Sequence, residues 1–340
     1  MGTTSRYRAA TRMSAALSLV ALVAACSGNG GATGRGGTDD YPGRNITFVV
    51  PFSAGGPTDT VTRMIAEPMA AQLGGKIVVR NVEGAGGTVG AGEVAQAEPD
   101  GLTVLMHHIG MSTAPALYEK LGYQPLKDFE TVGLVTEVPM TVVGRKDFAP
   151  ATLADLVAYV KANANKVTLA NAGIGAASHL CGLLFQTAVG VKLQEVPYQG
   201  TGPALTDLVG GQVDFMCDQT TNTSGQISAG KVKAYAVTTP QRVKSLPDLP
   251  TTAEAGLPQL QVSVWHGLYV PAGTPPEVVR KLSEALKVAL AEPRVIEQMA
   301  KLGTAPVPPE AATPQAHRTK LEEQLGTWAK VIADAGVKAS

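Results

Sequence analysis

Short β-rich apolar runs alternate along the chain with stretches whose apolar residues recur at three- and four-residue spacing, and glycine-rich loops separate them. Such alternation predicts strand, loop and helix units of an α/β protein. The clearest unit runs from Ile46 to Arg63. The apolar strand ends at Pro51-Phe52, the loop Ser53-Ala54-Gly55-Gly56 follows, and helical spacing begins through Val61, Met64, Ile65 and Met69. Pro57 suits the first helical position, and Asp59 lies in the first turn, where a carboxylate complements the helix dipole. Small residues leave backbone N–H groups open, so an anion could sit at this helix end without lysine or arginine.

The pattern then repeats. A strand over Lys76 to Asn81 leads into the turn Glu83 to Thr88 and a small-residue helix ending at Ala97; Thr103 to His108 is a buried strand, and Ala114 to Leu121 a short helix. Gly84 and Gly86 resemble the start of a dinucleotide fingerprint, but Val89 stands where that motif needs a small residue, so these glycines are read as close helix-to-sheet packing. His107 and His108 end their strand where open sheets place ligands; structural histidines are expected there. The long β-rich run Phe129 to Arg145 is long enough to leave one domain and enter another.

A second series follows: helix Leu153 to Ala162, strand Val167 to Ala172, loop Gly173-Ile174-Gly175, helix Ala177 to Val189, strand Leu193 to Tyr198, a helix opened by Pro203, then strands Val213 to Asp218 and Lys233 to Thr239. Val262 to Val270 reads as the return crossing. Helices over Pro276 to Leu290, Arg294 to Leu302 and Pro314 to Ala335 complete the chain, the last with an apolar stripe through Leu321, Leu325, Trp328 and Ile332.

Length and charge narrow the function classes. A chain of 340 residues, 44% apolar, is an ordinary globular protein of about two domains. Lys+Arg and Asp+Glu both number 28, which gives no basic surface for nucleic acid. Residues 1–25 have the layout of a signal peptide: Arg6, Arg8 and Arg12, then an apolar stretch too short to span a bilayer. Val23-Ala24-Ala25-Cys26 resembles a bacterial lipobox, so Cys26 is expected to carry lipid and residues 26–40 to form a flexible tether to a membrane. Cys181 and Cys217 fall in an expected helix and a buried strand and read as two separate buried thiols, with a disulfide between them as the alternative. With no C-x-x-C and no H-E-x-x-H, neither a metal nor another cofactor is expected.

The segments P-F-S-A-G-G-P-T-D-T-V-T-R (51–63), V-V-R-N-V-E-G-A-G-G-T-V-G (78–90), P-D-G (99–101), P-A-L-Y-E-K-L (115–121), P-L-K-D-F (125–129), A-G-I-G-A-A-S-H-L (172–180) and P-Y-Q-G-T-G-P-A-L-T-D-L-V-G-G-Q-V-D (197–214) occur in order. Together they resemble the Bug or TctC family, the extracytoplasmic solute-binding proteins of tripartite tricarboxylate transporters. The resemblance implies an α/β fold of two lobes, like type 2 periplasmic binding proteins, with a ligand cleft between the lobes and two crossing strands. It implies lobe 1 over 41–140 and 265–340 and lobe 2 over 141–264. It also implies a monomeric receptor, outside the cytoplasm, that passes a small organic carboxylate to membrane permease subunits.

Carried over position by position, the implied ligand site comprises Phe52, Ser53, Ala54, Gly55, Gly56 and Asp59 from one lobe. From the other come Ala172, Gly173, Ile174, Gly175, Ala176, Ser178 and His179, with Gly200, Thr201, Gly202 and Asp218. The backbone N–H groups of Ser53 to Gly56 and Gly173 to Ala176 are expected to hold the carboxylate. This chain has Ala176 where the family often has Ser or Thr, and Gln199 where it often has a basic residue. The alternative reading is a secreted α/β enzyme acting on an anionic small molecule. It lacks a G-x-S-x-G elbow, and Ser178 and His179, adjacent on a helix, point about 100° apart.

Overall fold

A computed structural model describes residues 41–337; the expected signal segment, Cys26 and the tether lie outside the described residues. Strand β1 (Ile46–Val50) is buried at every position but Thr47, as expected of a strand covered on both faces. Helix α1 (Pro57–Leu73) starts with Pro57 at a position needing no N–H donor and stops at Gly74, which adopts φ 66°. The edge strand β2 (Ile77–Asn81), helix α2 (Thr88–Ala95), strand β3 (Thr103–His108) and helix α3 (Gly110–Leu117) complete the first series. β1 pairs in parallel with β2 on one side and β3 on the other.

Strand β4 (Phe129–Arg145) joins two sheet regions. Its residues Phe129 to Pro139 pair with β9 (Ser263–Pro271), which in turn pairs with β3. From Met140 onward β4 pairs instead with β7 (Phe215–Gln219) and β8 (Val232–Val237). The return passage runs alongside: the Val262 N–H donates to the Thr238 carbonyl, and β9 begins at Ser263 opposite Pro139. The strand order is β2-β1-β3-β9-β4-β7-β5-β6, where β5 is Thr168–Asn171 and β6 is Gln194–Pro197. Two α/β lobes with strands crossing between them agree with the expected architecture.

Helix α4 (Leu153–Asn163) opens with a reciprocal cap between Thr152 and Asp155. Helix α5 (Ala177–Val189) lies on β7, α6 (Thr201–Val209) on β5 and β7, and α8 (Pro276–Ala291) on α1 and β4. Helices α9 (Pro293–Lys301) and α10 (Pro314–Ala335) end the described chain. The α10 stripe is core packing, with Leu321, Trp328 and Ile332 buried.

Three expectations are corrected. Cys181 and Cys217 form a disulfide, Cα to Cα 5.9 Å, rather than two thiols; α5 crosses β7 where the two cysteines meet, which their separation of 36 residues does not reveal. Helix α3 starts at Gly110, not Ala114, because His108 Nδ1 accepts the Gly110 N–H and the Ser112 hydroxyl bonds the Ile109 carbonyl. Helix α7 (Thr220–Ser228) was not expected. It has no apolar stripe and is buried through hydroxyls: Thr223 bonds Thr141, Thr220 bonds the Gly303 carbonyl, and Ser224 the Leu302 carbonyl.

Candidate functional site

The first loop is held by groups behind it. Asp59 is buried and its carboxylate accepts the Gly55 N–H at 2.9 Å, two bonds from Arg63 at 2.9 Å and one from Asn81 at 3.0 Å. Burial alone would raise its pKa, but these hydrogen bonds from Arg63, Gly55 and Asn81 hold it below the usual carboxylate range. Asn81 also donates to the Phe52 carbonyl at 2.9 Å. Asp59 therefore shapes the loop and is not among the residues lining the cavity described below. Gly55 takes φ 78°, a conformation that suits glycine. Phe52 stacks on His108 with ring centroids 4.6 Å apart and meets His107 edge-on.

The second loop is held in the same way. The Gly173 N–H donates to Asn171 Oδ1, the Ala172 N–H to Ser178 Oγ, the Gly175 N–H to His179 Nδ1 and the Ala176 N–H to the Gly173 carbonyl. His179 Nε2 faces Glu195 at 3.6 Å, and burial lowers the histidine's pKa while Glu195 opposes that shift. Ser178 and His179 thus bond separate backbone groups and do not pair as nucleophile and base.

The N–H groups expected to face a ligand are in large part engaged within their own loops. Gly55, Gly173, Gly175 and Ala176 have internal acceptors, the Gly56 N–H meets the Ser53 carbonyl at 3.4 Å, and the Ser53 N–H donates to the Gln199 carbonyl at 3.2 Å. Beyond these loops, the first turns of the helices carry N–H groups that have no intrahelical partner.

Those first turns border one small cavity of about 20 Å³, roughly the space of one water molecule. α1 contributes Gly56, Pro57 and Thr58; α5 contributes Ala176, Ala177 and Ser178; α6 contributes Thr201; Gln219 caps α7. Phe52, His108, Ala172 and Asp218 complete the wall, and it includes no lysine or arginine. Four helix N-termini from both lobes converge there, each carrying the equivalent of about half a positive charge. Burial pushes Asp218 up to about 6, against bonds from Asn222, the Gln219 N–H and Thr201. Burial likewise keeps His108 neutral at neutral pH, its pKa well below the ordinary value.

Of the residues expected from the sequence, Phe52, Gly56, Ala172, Ala176, Ser178, Thr201 and Asp218 line this cavity. Ser53, Ala54, Gly200 and Gly202 meet around its edge: a Cβ on Gly200 would lie 2.0 Å from Ser53 Oγ, and one on Gly202 3.3 Å from the Ala54 carbonyl. Gly55, Asp59, Gly173, Ile174, Gly175 and His179 stand behind or beside the wall. Pro57, Thr58, His108, Ala177 and Gln219 line it without having been singled out as ligand residues. The first two and Ala177 are legible as helix starts; Gln219 carried no signal because its helix was not recognised.

The chain matches the family described as tripartite tricarboxylate transporter family receptor over residues 61–337. The chain belongs to that family. A receptor-family relative of Agrobacterium vitis, described as a UPF0065 protein in the TAR-I ttuE-ttuC' intergenic region, is 54% identical over 88% of this chain and 86% of its own length. Among solved structures, the periplasmic binding protein BugD is 52% identical with a TM-score of 0.86, covering 88% of this chain and 100% of BugD. MatC from Rhodopseudomonas palustris, solved with bound malate, is 43% identical with a TM-score of 0.84, covering 86% and 100%. The family is one of receptors, and BugD is a periplasmic binding protein rather than an enzyme.

Proposed function

We propose that the protein captures a small organic carboxylate between its two lobes and delivers it to the permease subunits of a tripartite tricarboxylate-type transporter. The observation that carries this reading is the convergence of α1, α5, α6 and α7 N-termini on a cavity without a lysine or arginine. Helix ends hold carboxylates through N–H groups and dipoles, and buried in a closed cleft they need no counter-cation. That MatC was solved with malate supports the same class of ligand.

In this reading the ligand meets the first turns of α1 and α5, one from each lobe, while the loops at Ser53 to Gly56, Gly173 to Ala176 and Gly200 to Gly202 form the lips. The lobes we assign are 41–140 with 265–340, and 141–264, hinged where β4 crosses at Pro139 and Met140. The receptor works outside the cytoplasm as a monomer, tethered by lipid on Cys26. Among the described residues no helix is long and apolar enough to cross a membrane.

Native mass spectrometry of the protein purified without added ligand tests the reading, because binding proteins often keep a ligand from their host. A retained small organic acid supports it. A retained neutral sugar or a metal ion contradicts it.

A further inference from the structure

The N–H and the carbonyl of one trans peptide point to opposite sides of it, so a group that holds the one aims the other. The peptide between Ile174 and Gly175 is gripped at both ends. Its N–H donates to His179 Nδ1 on α5 at 3.3 Å, and its carbonyl accepts the hydroxyl of Tyr118, at the end of α3, at 2.7 Å. In the lobes assigned above, His179 belongs to one and Tyr118 to the other. Gly175, at φ 85°, has the conformational freedom to let this peptide turn if a partner is lost. An imidazole that accepts at Nδ1 carries its proton on Nε2, and that atom faces Glu195 Oε2 at 3.6 Å. Glu195, on the edge strand β6, also takes Asn171 Nδ2 at 3.2 Å and Gln186 Nε2 at 2.8 Å, and Asn171 Oδ1 in turn accepts the Gly173 N–H. One carboxylate thus orients both side chains, His179 and Asn171, that hold the loop. Neither His179 nor Glu195 lines the cavity.

We propose that His179 and Glu195 are positioning residues for closure: neutral His179 turns the Ile174 carbonyl toward Tyr118, and a proton on its Nδ1 releases that contact. Protonation makes both ring nitrogens donors, so Nδ1 then opposes the Gly175 N–H while Nε2 gains a charged bond to Glu195. The exchange favours a turned peptide and parted lips. Glu195 is the charged group that faces the ring; Asn171 of β5 and Gln186 of α5 beside it are neutral, and Asp218 of β7 lines the cavity instead. Tyr118 stays neutral, because burial raises its pKa. With the loop in place, burial lowers the histidine's pKa and Glu195 opposes that shift. The latched form is therefore favoured above the ordinary histidine value and is lost as pH falls below it. The proposal rests on the hinged reading above and not on the chemistry of the ligand.

Nitrogen-15 spectra of the ligand-free protein test the geometry. At pH 7.5 His179 should carry its proton on Nε2, and as pH falls the Gly175 amide resonance should move with the same midpoint as the His179 ring. Calorimetric titration with malate, the acid bound in MatC, tests the consequence. Between pH 7.5 and 5.5 affinity should fall about tenfold more in the wild type than in His179→Asn, whose Oδ1 can take the Gly175 N–H but does not titrate. Asp218, raised to about 6, titrates in both proteins and drops out of the comparison. Glu195→Gln should move the fall to lower pH, because the carboxylate that favours the charged ring is gone. A merely structural contact would move neither profile. A proton on Nδ1 at pH 7.5, a Gly175 amide that ignores the titration of the ring, or matching pH profiles in wild type and His179→Asn would each overturn the proposal. If His179→Asn does not fold by circular dichroism, the wild-type spectra and the Glu195→Gln profile decide. A failure of malate to bind would count against the carboxylate reading, while the spectra, recorded without ligand, still decide this one.

Discussion

The Tyr118 hydroxyl lies 2.7 Å from the Ile174 carbonyl and 2.8 Å from that of Ala85, tying the end of α3 to a loop of the other lobe. Thr113 makes a second tie, its hydroxyl 3.0 Å from the Gly175 carbonyl. Gly86 comes so close to the same loop that a Cβ would lie 1.9 Å from the Ile174 oxygen. These contacts exist only with the lips together. In the hinged reading proposed above they favour the closed form, and neither side chain lines the cavity.

Tyr118→Phe should therefore weaken ligand affinity by about 5- to 10-fold, the worth of about one hydrogen bond, through closure alone. Calorimetry gives the affinity, and scattering with and without saturating ligand gives the closure. An unchanged dissociation constant would show that the contact does not help close the cleft. Gly86→Val should be worse, since backbone stands where the side chain must go and φ there is 62°.

Acid should destabilise the fold well before its carboxylates titrate. Burial holds His107 at about 3, His266 at about 4 and His317 at about 3. The native histidines stay neutral while unfolded ones take protons below about 6.5, so their contribution is complete above that value and is lost as pH falls toward 4. Each should remove about 1.4 kcal/mol between pH 7.5 and 5.5, or about 4 kcal/mol for the three. Asp218, raised to about 6, works in the opposite direction: its ionisation costs stability as pH rises through that value, which offsets a smaller part. Urea denaturation at the two pH values measures the sum. Equal stability at both would contradict it.

The disulfide joins α5, whose first turn borders the cavity, to β7, which ends at Asp218 and Gln219. Closing a loop of 36 residues stabilises the folded state by about 4 kcal/mol in the chain-entropy account. The Cys181→Ser, Cys217→Ser double variant should lose about that much in chemical denaturation. A loss below about 1 kcal/mol would show that packing of α5 on β7 suffices without the bond.

Lipid on Cys26 predicts that the wild-type protein partitions into detergent and that Cys26→Ser releases it to the aqueous phase. An unmodified N-terminal peptide, with the wild type wholly aqueous, would contradict the anchor.

Much of the architecture is legible because periodicity reports burial. The run Phe129 to Arg145 is long and β-rich because both lobes bury it, and the helix starts at Pro57 and Ala177 follow small-residue loops. The missing parts share a cause: they are set by polar contacts between segments distant in sequence. α7 is buried through its own hydroxyls, which bond the Thr141 hydroxyl and the Gly303 and Leu302 carbonyls, so its residues show no stripe. Which loop N–H groups remain open depends on side chains such as Asp59, Asn171 and His179 turning back onto their own loops. For that reason the glycine loops are legible in the sequence, while the engagement of their N–H groups within the loops is not.

The most direct measurement removes one N–H group at a helix start. Ala177 is the first residue of α5, where proline is tolerated, and Ala176 before it is extended at φ −66°, ψ 157°, as a residue preceding proline must be. Ala177→Pro deletes the N–H of a residue that lines the cavity and keeps the helix. Thermal denaturation with a panel of mono-, di- and tricarboxylates should find an acid that, at about 100 times its dissociation constant, stabilises the wild type by about 2.7 kcal/mol. In Ala177→Pro, with its unliganded melting temperature unchanged, that shift should largely disappear. A wild type that no carboxylate stabilises, while neutral sugars or cations do, would contradict the account, as would an Ala177→Pro protein that binds the acid undiminished.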